Sequence, residues 1–133
     1  MRKLLLLWLK GPLACRLPAD VVKCVSATLV NIKSFVPNDF ARKPRPLSEV
    51  DRWKATEFRL MLLYTGVVAF HNKLRDVFYH NFLLLSVAMR ILLSPEYCAD
   101  YCDYARELLC VFVTNFSDLY GGHFVVYLSL IHI

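Results

Sequence analysis

Apolar residues recur along this chain at helical rather than alternating spacing. Leu4 to Leu9 form a short apolar run closed by Gly11-Pro12, which predicts a short helix. Pro18 suits a first helical turn, where its missing N–H costs nothing. Val21, Cys24, Val25, Thr28, Leu29 and Ile32 follow at i, i+3, i+4 intervals, with Lys23, Asn31 and Lys33 mostly on the other face and Pro37 closing the segment. Pro44 and Pro46 disfavour helix in the residues before them, so 41–47 reads as an extended connector. Ser48 then reads as an N-cap, with Glu49 and Asp51 in the first turn and Asp51 at the capping-box position. That helix is expected to run to about Tyr64, with Gly66 as its C-cap.

A third long helix is expected from about Lys73 to Leu93, apolar almost all round in its second half and therefore buried on most sides. Ser94-Pro95-Glu96 supplies an N-cap, a first-turn proline and a first-turn acid for a fourth helix. Its apolar stripe is Tyr101, Tyr104, Ala105, Leu108, Phe112 and Phe116, and Gly121-Gly122 ends it. Phe124 to Ile133 is a continuous apolar run that periodicity leaves open between strand and buried helix. The fold class is all-α, about four to six helices in a single domain over 1–133, with no internal repeat.

Composition adds a second constraint. An apolar fraction of 57% is high for a free-standing domain. It fits a piece of a larger protein whose partner surfaces are missing better than it fits membrane contact. The best candidate span, Val77 to Leu93, has 17 residues and contains His80, Asn81 and Arg90, so no stable membrane span is expected. Arg2-Lys3 precedes an apolar run of only six residues, below the 7–15 of a signal-peptide h-region, and the chain is not expected to be secreted.

Net charge is +5 and uneven: residues 1–59 hold 12 Lys/Arg against 5 Asp/Glu (+7), residues 60–133 hold 4 against 6 (−2). A basic half is compatible with DNA, and Arg42, Lys43 and Arg45, with Arg52 and Lys54 beyond, are the side chains able to neutralise phosphates. The alternative is a solvated basic face. Trp53 and Phe58 read as core anchors rather than base-stacking platforms.

Catalytic signals are absent: there is no Gly-rich phosphate loop, metalloprotease helix motif or nucleophile elbow. Five cysteines (Cys15, Cys24, Cys98, Cys102, Cys110) do not suggest a disulfide framework. Cys98 and Cys102 share a helix face, but paired Cys-x-x-Cys knuckles are missing, so packing is expected rather than zinc. Asp100, Asp103 and Glu107 lie on one side of the fourth helix and read as a solvated acidic face. No catalytic residue, metal, cofactor or small-molecule substrate is expected.

One stretch carries a resemblance. Phe40 to Gly66, from Phe40-Ala41-Arg42-Lys43-Pro44-Arg45-Pro46-Leu47 through Trp53-Lys54-Ala55-Thr56-Glu57-Phe58-Arg59 to Tyr64-Thr65-Gly66, closely resembles a segment of the transposase-like proteins of CACTA (En/Spm-type) DNA transposons in animal genomes. Leu7-Trp8-Leu9-Lys10-Gly11-Pro12-Leu13, Tyr101-Cys102-Asp103-Tyr104-Ala105 and Leu119-Tyr120-Gly121 continue the likeness, and Ser129-Leu130-Ile131-His132 resembles the family's histidine-bearing segment.

The resemblance implies an RNase H-like transposase in which this chain is the helical insertion between the second and last catalytic acid motifs. No catalytic acid then falls on this sequence, and only His132 matches a family motif position. The basic first half motivates DNA, or docking on a full-length transposase, as partner, and the resemblance implies a nuclear location if the chain acts as a transposase relative. The sequence departs from the family pattern at Val67, where a proline usually follows Thr-Gly, and in a shortened stretch between Tyr127 and Ser129.

Overall fold

In the computed structural model, which describes residues 1–35 and 44–121, the described residues contain six α-helices and no strand, the all-α fold expected. The chain divides into two compact units, Met1–Leu74 and Arg75–Ile133.

In the first unit, helix α1 (Arg2–Lys10) buries Leu4, Leu5, Leu7 and Trp8. Its charged ends, Arg2 and Lys10, stay exposed. Gly11 stops it: the Gly11 N–H reaches back to the Leu7 carbonyl at 3.1 Å. A Cβ at Gly11 would press on that same carbonyl oxygen, so the close approach requires glycine. The chain then turns so that the Leu17 N–H donates to the Trp8 carbonyl at 2.7 Å. Pro18 stands at the N-cap position of α2 (Ala19–Ile32). Only Val25 and Leu29 of the expected α2 stripe are fully buried; Cys24 is exposed and Val21, Thr28 and Ile32 are half-buried.

The segment after Pro46 departs most from expectation. Ser48 caps nothing, and no long α-helix starts there. Leu47–Arg52 is a 3-10 helix, Trp53 and Lys54 are extended, and α3 (Ala55–Leu60) begins afresh. The apolar spacing explains this. Leu47, Val50 and Trp53 are three apart and all buried. At three residues per turn they stack on one face, whereas an α-helix would swing Trp53 about 120° from Leu47. The orphan N–H of Leu47 donates to Ser26 Oγ at 3.1 Å, so the cap comes from α2 rather than from Ser48.

From α3 the chain continues through a π-helical turn, Met61–Thr65, into α4 (Gly66–Ala69). Gly66 is therefore inside the helix, with φ −65° and ψ −36°, and is not its cap. The stop comes four to six residues later: the Lys73 and Leu74 N–H groups bond the Phe70 carbonyl, and Asn72 takes φ 61°. Asparagine tolerates that left-handed conformation better than most residues.

The second unit pairs α5 (Asp76–Leu93) with α6 (Pro95–Tyr120). Ser94 and Pro95 occupy the cap and first-turn positions expected of them. Gly121, at φ 102°, ends α6 in a conformation that favours glycine. Phe78 meets Tyr120 at 5.2 Å between ring centroids, and the Asn81 side-chain amide donates to the Phe112 carbonyl at 3.5 Å. α6 is the longer by eight residues, 26 against 18, and departs from helical geometry at Tyr101 (φ −123°, ψ 16°). The part after Tyr101 is what packs along α5.

The α6 stripe is corrected accordingly. Ala105, Phe112, Phe116 and Tyr120 are buried, while Tyr101 and Tyr104 are about half exposed. Burial of α5 on most sides is also corrected: it buries Phe78, Tyr79, Asn81, Phe82, Ser86 and Ala88, while Val77, Val87 and Leu93 are exposed. At 18 residues and mean hydropathy 1.4, one third buried, α5 is long and apolar enough to cross a membrane by length and composition, unlike the 17-residue estimate. It is the one such helix among the described residues.

Phe116→Ala removes a ring that is 1% exposed and is expected to cost about 3–5 kcal/mol. Tyr101→Ala, on the exposed side of the kink, is expected to stay within about 0.5 kcal/mol. Denaturant unfolding of the two variants checks this; equal losses would contradict the packing.

Candidate nucleic-acid surface

Of the five basic residues picked out as phosphate contacts, Arg42 and Lys43 lie outside the described residues, as does His132. The remaining three do not share one fate. Arg45 sits between a buried Pro44 and Pro46, and Pro46 holds φ −62° and ψ 153°. This rigid extended tripeptide points its guanidinium at Glu57, whose carboxylate lies 3.1 Å from Arg45 Nη2. Arg45 is 28% exposed at its side chain and Glu57 2%. The pair is thus a nearly buried carboxylate held by a partly buried cation. A bare buried carboxylate is very costly, so the Arg45 cation stabilises Glu57 and is itself drawn away from solvent.

Arg52 and Lys54 are exposed. Trp53 between them is buried, 6% exposed, with its ring 5.3 Å from that of Phe58. Extended backbone at Trp53 and Lys54 puts successive side chains on opposite sides, which sends the ring inward and leaves the ammonium in water. The expected burial of Trp53 is found, but in extended backbone at the end of the 3-10 turn rather than on the face of an α-helix. Its Nε1–H has no hydrogen-bond acceptor among the described residues.

Further cations of the first unit cluster nearby. Lys10, at the end of α1, lies 3.3 Å from Asp51 in the 3-10 turn. Arg16 is taken up locally, its Nε–H donating to the Gly11 carbonyl at 2.9 Å. Lys10 and Asp51 are 41 residues apart and appear in no shared motif, so sequence reasoning missed their proximity. Glu57 was legible in part, because it falls four residues after Trp53 and three before Leu60, on the apolar side.

The other candidate chemistry is plainly placed. Asp100, Asp103 and Glu107 are exposed, the solvated face expected, with Arg106 3.9 Å from Asp103. Core packing of the cysteines holds fully for Cys15 alone; Cys98 and Cys102 are half-buried, and Cys24 and Cys110 exposed. Among the described residues no group of three or more His, Cys, Asp or Glu side chains is placed to hold a metal ion.

No family model, curated protein or solved structure matches the chain.

Two outcomes follow from this geometry. Arg45→Ala removes the cation beside a buried carboxylate and is expected to cost about 3 kcal/mol or more, while Arg52→Ala and Lys54→Ala stay within about 0.5 kcal/mol. Trp53→Ala is expected to cost about 3–5 kcal/mol, but Trp53→Phe, which keeps most of the ring, less than about 1.5 kcal/mol. Chemical unfolding followed by circular dichroism measures all five. A large loss for Trp53→Phe would mean that the indole N–H is paired after all.

Proposed function

We propose that this chain is the helical insertion of a CACTA-type transposase-derived protein, without strand-transfer chemistry of its own, and that its first unit binds nucleic-acid backbone. The observation that carries the binding half is the charge partition between the two units. Residues 1–74 hold 13 Lys/Arg against 5 Asp/Glu, a net +8; residues 75–133 hold 3 against 6, a net −3. The boundary between compact units is also the boundary between charge signs. A domain-wide basic excess of this kind raises the local concentration of polyanions and speeds their association.

The transposase half is supported by the likeness of Phe40–Gly66 and of the shorter segments around it. Metal-assisted phosphoryl transfer needs carboxylate ligands, and no residue here matches a catalytic acid of that family. Exposed apolar side chains fit an insertion that meets other surfaces: Leu13 and Phe35 are each 83% exposed, and Val68 and Tyr97 more than half. Single exposed apolar residues are ordinary, but this many on so small a chain favour association.

The test has two arms. Affinity for a DNA duplex should fall steeply between about 50 and 200 mM salt, and the Arg52→Ala, Lys54→Ala double variant should flatten the log–log slope by about 2. Incubation of the chain with magnesium or manganese and transposon-end DNA should give no nicking above a heat-denatured control. Undetectable binding at low salt would refute the binding half, and reproducible metal-dependent cleavage the inert one.

A further inference from the structure

A groove of about 410 Å³ runs between the end of α1, the first half of α2 and the turn Leu47–Arg52. Its polar lining is Lys10, Lys23, Ser26, Ser48 and Asp51, and its apolar lining includes Val22. Two lysines and two serines line the groove with a single acidic residue, so its lining carries a net positive charge.

The carboxylate is weakly held. Lys10 and Asp51 are 3.3 Å apart, but their side chains are 62% and 65% exposed. Such a surface pair contributes at most about 1 kcal/mol, so a stronger anion can take Lys10 from Asp51. Lysine binds phosphate as a mobile point charge and needs no fixed fork. Ser26 Oγ already accepts from the Leu47 N–H, which leaves its O–H free to donate. The groove volume lies within the range of small-ligand clefts, larger than one phosphate fills. The apolar lining would lie against whatever is attached to that phosphate, and a sugar suits it.

We infer that this groove seats one phosphate of a nucleic-acid backbone between Lys10 and Lys23, with its sugar over Val22 and with Asp51 as the competing anion. The inference rests on the nucleic-acid reading of the first unit and adds the place where a phosphate sits. It also assigns Asp51 a definite effect: the acid weakens binding, so removing its charge strengthens it.

Fluorescence anisotropy of a labelled DNA duplex with the full chain tests this, with circular dichroism to confirm that each variant is folded. All substituted residues are exposed. Lys10→Ala with Lys23→Ala should lower the salt slope by about 2 and weaken binding at about 50 mM salt roughly tenfold. Asp51→Asn should tighten binding at least threefold more than Asp100→Asn, which makes the same charge change on the second unit.

If the native chain binds DNA but the double lysine variant keeps its slope and Asp51→Asn behaves as Asp100→Asn, the groove assignment fails and the general reading stands. If the native chain does not bind DNA at low salt, both fail. A third arm separates the source of the phosphate by competing with inorganic phosphate and with a dinucleotide. Equal displacement by the two would overturn the backbone assignment.

Discussion

The first unit is organised by an edge-to-face contact between Trp8 and Phe70, ring centroids 4.9 Å apart at 60°. Neither ring has any measurable exposure. The two lie 62 positions apart, one on the first helix and one just past the last helix of the unit, so closing them fixes where the intervening chain must fit. Aromatic pairs in this geometry add to their area burial. Leu5, Val25, Leu29, Leu47 and Met61, all at most 2% exposed, join the same apolar core. The polar consequence follows: backbone groups near this core must find partners at close range. The short Leu17-to-Trp8 bond and the Leu47-to-Ser26 bond are two such solutions.

Next to this core the chain carries a charge inward. Glu57 is the one buried carboxylate among the described residues, and it is stabilised by Arg45, which the tripeptide stiffened by Pro44 and Pro46 presents to it. The mixed-charge stretch 45–59 is therefore not uniform. One of its cations balances a buried acid, Arg52, Lys54 and Arg59 stay in water, and the tryptophan between the first two of these is inside. Charge at a sequence position does not say which of these roles it plays, because the role depends on where the backbone turns.

Much of the fold was legible in the sequence for physical reasons that act locally. Gly11 ends α1, Ser94-Pro95 opens α6, and Gly121 closes it, because each uses a backbone property that no distant residue can supply. The class of fold was legible from apolar periodicity alone. What failed was the segment 47–66. The Ser48 and Asp51 pair has the form of a capping box, yet the apolar spacing of three at Leu47, Val50 and Trp53 prevailed over it. Gly66 has the form of a C-cap, yet the helix continues through it into α4. Burial of three large side chains exceeds a cap's contribution of about 1 kcal/mol. The upper part of the α6 stripe failed for a related reason: a kink at Tyr101 redirects Tyr101 and Tyr104 without leaving a mark in periodicity. Of the candidate surface, the basic character was legible but its geometry was not. Lys10 and Lys23 come to the Leu47–Arg52 turn only through tertiary packing.

Charge and apolar exposure converge on one description of the first unit. Its net +8 makes the folded unit repel itself at low salt, and nearly all of those cations that are described lie at the surface, where water and counterions screen them. Leu13 and Phe35, also at its surface, are almost fully in water. Each feature costs stability in the isolated chain, and each is relieved by a partner that supplies negative charge or apolar cover. The balance between the two decides the order of strength. Cations respond to any polyanion at a range of about 10 Å, whereas apolar cover requires shape complementarity at contact. In the proposed binding, charge attraction to a polyanion therefore acts before close apolar contact, and the net +8 assigns that attraction to the first unit.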